Sequence, residues 1–199
     1  MSANYLCLLD SPALTRGEGS IIGLMKSSYR FSPIQDKKGL FQALEYIHFE
    51  SFRICRNNLG YILPVAGNIG IFCHYDDEFE KLTEIRKELT DATVNWNQKY
   101  YRLHTPITIR AKNGMPKTTY TFLYVRKPDI THPQVGDLDF YMEPDKYNAL
   151  KQSLLVEKVK KGVKILDRSD LDLVELSDPQ SDVVAFIGSY NLPEITTQP

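Results

Sequence analysis

Asp137 and Asp139 stand one residue apart in the run Val135-Gly-Asp-Leu-Asp-Phe-Tyr-Met142. Residues two apart on a strand project from one face. Carboxyls held that close can split their pKa values and serve as acid and base. The plainer expectation is two solvated aspartates on an exposed sheet face. A second set is His74, His104 and His132 with Asp76, Asp137 and Asp139. Imidazole and carboxylate are the right ligands for a mononuclear iron or zinc site, but no His-x-His or His-x-x-x-His spacing supports one. Cys73 and His74 are adjacent in a predicted strand, point to opposite faces, and cannot form a thiolate–imidazole pair. No Gly-x-Ser-x-Gly nucleophile turn is present. Arg16 to Ser20 holds Gly17 and Gly19 without the spacing or the Gly-Lys-Ser/Thr of a phosphate loop, so it reads as a surface loop. His48, set among aromatic residues, reads as a packed, hydrogen-bonded histidine. Tyr120, Phe122 and Tyr124 fall on one side of a strand, where they could stack on a ligand or, as expected, join the core.

The chain that must position these groups has 199 residues, enough for one domain or two small fused modules. Its net charge of -1 gathers neither nucleic acid nor anionic membrane. Three cysteines, Cys7, Cys55 and Cys73, form no Cys-x-x-Cys pair, which favours reduced thiols over a disulfide framework or zinc knuckle. Tyr5 to Leu9 is too short for a signal-peptide core. The most apolar stretch, Tyr61 to Cys73, is interrupted by Pro64, Gly67, Asn68 and Gly70 and falls short of a membrane span. A soluble, cytoplasmic protein is expected.

Periodicity supplies the elements. Asp36 to Asn58 reads as a helix, capped by Asp36, with Leu40, Leu44, Ile47 and Phe52 near one face and Gly60 closing it. Asn68 to His74 alternates as a strand. Asp76 and Asp77 supply an N-cap, and Phe79, Leu82, Ile85 and Leu89 mark one helix face. Thr90 to Gln98 extends that helix or loops out. Tyr100 to Ile109, broken at Pro106, and Thr118 to Arg126 read as a hairpin, followed by a hinge over 127–133. Leu138, Phe140 and Met142 then alternate with Asp137, Asp139 and Tyr141. A helix begins at Pro144 and buries Tyr147, Leu150 and Leu154. Lys158 to Lys161 is a solvated basic patch. Gly162 to Asp167, Leu171 to Leu176 and Val183 to Ile187 are short strands, and Asn191 to Pro199 is a polar tail.

The strand, acidic cap and helix from Gly67 to Leu89 recur from Val135 to Leu155. This duplication predicts an α+β fold of two βαβββ-like halves, 67–127 and 135–188, with a helical N-terminal segment (1–66) and a tail (189–199). The halves join into one curled sheet with helices on its outer face. Ile69, Ile71, Leu138, Phe140 and Met142 must meet the helices. Their neighbours Asn68, Phe72, His74, Asp137, Asp139 and Tyr141 then face a cup, the expected ligand-binding surface.

From Gly67 to Ile187 the chain resembles the vicinal oxygen chelate superfamily, which includes glyoxalases, bleomycin-resistance proteins and extradiol dioxygenases. Two spots carry the resemblance. Gly136-Asp137-Leu138-Asp139-Phe140, followed by Asp145 to Lys151, is similar to the family's histidine-led strand and its helix. Asp178-Pro179-Gln180-Ser181-Asp182 is similar to its Asp-Pro-Asp-Gly-Asn turn before the last strand. The resemblance implies a central cup. It also places the family's metal ligands at Asn68, Asp137 and, for the last-strand glutamate, Ala185. Alanine cannot bind a metal and asparagine binds one poorly. The expectation is therefore a small-molecule-binding protein without metal or other cofactor. A metal-dependent lyase, isomerase or dioxygenase with substitute ligands, or a protein-interaction module, are the alternatives. A small-molecule ligand and a second copy in a homodimer are the partners left open.

Overall fold

The computed structural model describes residues 29–92, 99–156, 161–168 and 171–189. The expectations for Tyr5 to Leu9, Arg16 to Ser20, most of Thr90 to Gln98, most of Lys158 to Lys161 and the tail lie outside these residues. In chain order the elements are α1 (Lys37–Leu59), β1 (Val65–Phe72), α2 (Asp76–Leu89), β2 (Tyr101–Ile109), β3 (Thr118–Arg126), β4 (Gly136–Tyr141), α3 (Pro144–Val156), β5 (Val163–Arg168), β6 (Leu171–Leu176) and β7 (Val183–Gly188). Seven strands make one mixed sheet in the order β2-β3-β1-β4-β7-β6-β5, and with three helices form an open, curled α+β fold.

The sheet is built from repeated units that meet at its centre. β1 and β4 pair antiparallel. Each leads through a helix to later strands and lies parallel to the last strand of its own half, β1 to β3 and β4 to β7. A parallel return needs a crossover long enough to span the sheet, which α2 and α3 supply. The halves are not equal. Among the described residues the first has two strands after its helix and the second has three. β1 also begins earlier than the sequence suggests and ends at Phe72, leaving His74 beyond the strand.

α1 follows from local chemistry. The Asp36 carboxylate accepts a hydrogen bond from Gly39 N at 2.7 Å. At the other end Gly60 takes φ 83°, a conformation costly for any residue with a Cβ, and its N–H reaches Arg56 O. The buried stripe includes Leu40, Leu44, Ile47 and Phe52. It packs on β1, β4, β6 and β7, so α1 bridges both halves. Phe52 meets Phe140 edge-on with ring centroids 5.2 Å apart. His48 is fully buried and shares a hydrogen bond with Tyr120 OH at 2.7 Å. Burial pushes its imidazole down to about 4, so it stays neutral near pH 7.

α2 is capped differently from the sequence expectation. Asp76 and Asp77 lie inside the first turn, and Tyr75 precedes the helix without a side-chain cap. The closing group is buried Glu78, whose carboxylate accepts from Ile34 N and His74 N, both at 2.8 Å. The chain ahead of α1 is thereby tied to the start of α2. In α3, Tyr147 is buried and its hydroxyl donates to Asp172 at 2.7 Å, fastening the helix to β6.

Candidate functional site

The concave face of the sheet encloses a cavity of about 680 Å³, of the size small-molecule sites usually have. Strand register decides what it presents. Gly70 lies opposite Asp137 on β4 and beside Tyr124 on β3. Asp137 and Asp139 lie beside Val184 and Phe186 on β7, and Glu175 of β6 lies opposite Phe186. Tyr124, Asp137, Asp139, Glu175, Val184 and Phe186 all line the cavity.

The two aspartates are not solvated. Asp137 is 4% and Asp139 2% exposed. β4 is the central strand of the curled sheet, flanked by β1 and β7, and Tyr100 reaches across to Asp139. Asp139 is held by two donors, Asn68 Nδ2 at 2.8 Å and Tyr100 OH at 3.0 Å. Asp137 has its Oδ1 enclosed, with no hydrogen-bond partner among the described residues. It folds over Gly70, where a Cβ would come within 1.9 Å of that oxygen. Glycine at position 70 is what makes room for the carboxyl group. Burial first, and the charge of Asp139 second, raise Asp137 to about 7, against the pull of Lys99 and Arg126. A carboxyl group with those properties can give or take a proton near neutral pH.

Four other residues singled out by the sequence are less direct. Asn68 positions Asp139 rather than lining the cavity. Phe72 is buried behind Arg126, whose guanidinium carbon lies 4.8 Å from its ring centroid. Tyr141 sits at the end of β4, half-buried and outside the lining. His74 stacks on Tyr29 at 3.8 Å and shares a hydrogen bond with Ser32 Oγ at 2.7 Å, away from the cavity. The strand aromatics also part company: Tyr120 joins His48 in the core, and Tyr124 lines the cavity. Sequence reasoning missed Lys99, Arg126, Gln134 and Glu175. Only Arg126 and Glu175 carried a signal, through the phase of their strands.

The family's metal set does not fit these residues. Ala185 pairs with Leu138 on the helix side of the sheet, so the cavity-facing positions of β7 are Val184 and Phe186. Neither can ligate. His104 meets Asp91 at 3.4 Å, His132 meets Asp129 at 2.8 Å, and His74 is elsewhere. Among the described residues no three His, Cys, Asp or Glu side chains converge on a common point.

The fold and site define a class: a protein of repeated βα units sharing one curled sheet, with a buried carboxylate pair on the floor of its concavity. The open, curled sheet agrees with the α+β fold expected from the sequence; the buried carboxylate pair was not expected. No protein-family model matches the chain, and no curated protein does. Among solved structures it is similar to one described as Structural Genomics, Protein EC4020, with a TM-score of 0.53 and 13% identity over 85% of this chain and 97% of that one. At that identity the likeness is one of fold. A looser likeness links it to a Streptomyces coelicolor methylmalonyl-CoA epimerase in complex with 2-nitronate-propionyl-CoA, with a TM-score of 0.30 and 16% identity over 64% of this chain and 98% of that one. A methylmalonyl-CoA epimerase in complex with methylmalonyl-CoA and NH4+ gives 0.28 and 14% over 64% and 95%. Such scores bear on no activity.

Proposed function

We propose that this protein binds a small molecule in the concave cavity, with Asp137 as a proton-linked anchor and no metal ion between protein and ligand. One observation carries the reading: a carboxyl group 4% exposed that lines a cavity, with one oxygen unmatched by any donor among the described residues. Burying such a group costs free energy unless something answers it. Protonated, Asp137 donates to a ligand oxygen or nitrogen; ionised, it accepts. Phe186, Val184 and Leu173 give the ligand an apolar wall. The metal-free reading is supported by β7, which offers the cavity Val184 and Phe186 where the family resemblance would put a ligand. A cytoplasmic setting belongs to the same reading, since Cys55 and Cys73 are free and buried.

The test is a ligand-observed NMR screen of the full chain against small carboxylic acids, amines and polyols, repeated on Asp137→Asn. Hits on the native protein should fade or change rank in the variant, and their affinity should vary with pH around neutrality. An identical hit set with pH-independent affinities would refute the assignment.

A further inference from the structure

A second cavity, of about 770 Å³, opens between α2 and β3 where β3 runs out into the 127–135 connector. Phe79, Thr83 and Arg86 of α2, Tyr101 of β2, Val125 of β3 and Lys127 line it. It touches the concave cavity at Tyr124 and Arg126, and its charged lining is Arg86, Arg126 and Lys127 with one carboxylate, Asp129.

Arg86 is the unusual residue. Its guanidinium carbon lies 3.5 Å from the centroid of the Tyr101 ring. Its Nε is enclosed and has no partner among the described residues. Its terminal nitrogens also make no hydrogen bond or ion pair among them, yet they are not enclosed. The nearby carboxylates are engaged elsewhere: Glu88 with Lys37 at 2.7 Å, Asp91 with His104 at 3.4 Å, and Asp129 with Thr131, His132 and Arg126. Lys127 likewise has no carboxylate partner among the described residues, and its ammonium lies 5.7 Å from the Phe79 ring centroid. Two cations with no ion-pair partner among the described residues thus share one groove, whose carboxylate, Asp129, is held by Thr131, His132 and Arg126.

A guanidinium resting on an aromatic ring has given up much of its rotational freedom and hydration, while the edge that forms hydrogen bonds stays open. That edge matches two oxygens of a carboxylate or phosphate. Phe79 and Val125 add apolar surface beside it. We infer that this groove binds a small molecule through an oxyanion, phosphate or carboxylate, held by Arg86 and Lys127 with the apolar body against Phe79 and Val125. A net charge of -1 disfavours a nucleic-acid backbone as the source of the anion.

The experiment is calorimetric titration of the full chain at low salt with phenyl phosphate, benzoate and benzyl alcohol, on the native protein and on Arg86→Met, Lys127→Met and Lys81→Met. Phenyl phosphate or benzoate should bind, and the tighter of the two names the anion. Benzyl alcohol should bind more weakly by about tenfold or more, as loss of a charge-assisted contact implies. Arg86→Met should weaken the anion by about tenfold to a hundredfold and Lys127→Met by less. Lys81→Met, the same charge change on the exposed side of α2, should leave it unaltered. Circular dichroism confirms that each variant is folded, and Lys127→Met keeps the test open if Arg86→Met is not. Silence with both anions, equal binding by native protein and both groove variants, or benzyl alcohol binding as tightly as the anions would overturn the inference. So would a response to single-stranded oligonucleotide with phenyl phosphate silent. Asp137→Asn should not change the result, which separates this groove from the concave site.

Discussion

Replacing Asp137 by asparagine removes one ionisable group and keeps the side chain's shape. The folded protein raises this carboxyl from 3.8 to about 7, through burial and the charge of Asp139. Between about pH 4 and pH 7 the folded chain therefore holds a proton that the unfolded chain has released. Stability falls as pH rises through that window. Each pH unit of displacement is worth about 1.4 kcal/mol, so the full penalty above pH 7 is roughly 4 kcal/mol. Part of it is already present at pH 5, which leaves about 2–3 kcal/mol to be lost between about pH 5 and pH 8. Asp137→Asn lacks this loss. Urea unfolding of both proteins across that range should show the variant gaining on the native protein by about 2–3 kcal/mol as pH rises. The difference between the two cancels titrating groups remote from the pair and reads Asp137 together with its effect on neighbouring Asp139. Parallel pH profiles would mean that Asp137 titrates alike in the folded and unfolded chains. A variant that loses ground at high pH would mean its ionised form is stabilised. Either result would remove the buried, unmatched carboxyl group from the floor of the cavity.

Three further outcomes follow from the packing. Phe140→Ala deletes a fully buried ring that meets Phe52 of α1 edge-on and should cost about 3–5 kcal/mol in urea unfolding. Gly70→Ala places a methyl group against Asp137 Oδ1 and should cost about 1–3 kcal/mol; adding Asp137→Ala should recover part of that loss, and strictly additive melts would show that the two sites do not touch. Tyr120→Phe takes the hydroxyl from buried His48 and should cost about 1–3 kcal/mol, with the His48 ring remaining neutral by NMR down to about pH 4 in the native protein.

Much of the architecture was legible without coordinates, because it rests on local chemistry. Asp36 and Gly60 bound α1 through a cap and a left-handed terminus that the residue types themselves encode. Pro144 opens α3 at the one helical turn that needs no N–H from it. Alternation along 136–142 places Asp137 and Asp139 on one sheet face and Leu138 and Phe140 on the other, since the strand period is two. What alternation does not carry is whether anything covers the polar face. The expected solvated aspartates are buried because β4 is the central strand of a curled sheet and Asn68 and Tyr100 meet it there, and that is a property of the assembled sheet. Asn68 and Asp139 meet across 71 residues of chain, and Tyr100 reaches the same carboxylate across 39. No spacing rule spans such distances. The place of α1 was equally hidden: its apolar stripe announces a helix that must be covered, but only the joined sheet shows that one helix covers both halves. The phase of β7 is the last case. Its residues read as a plain apolar run, buried on both faces, so only pairing with β4 decides that Val184 and Phe186, rather than Ala185, look into the cavity.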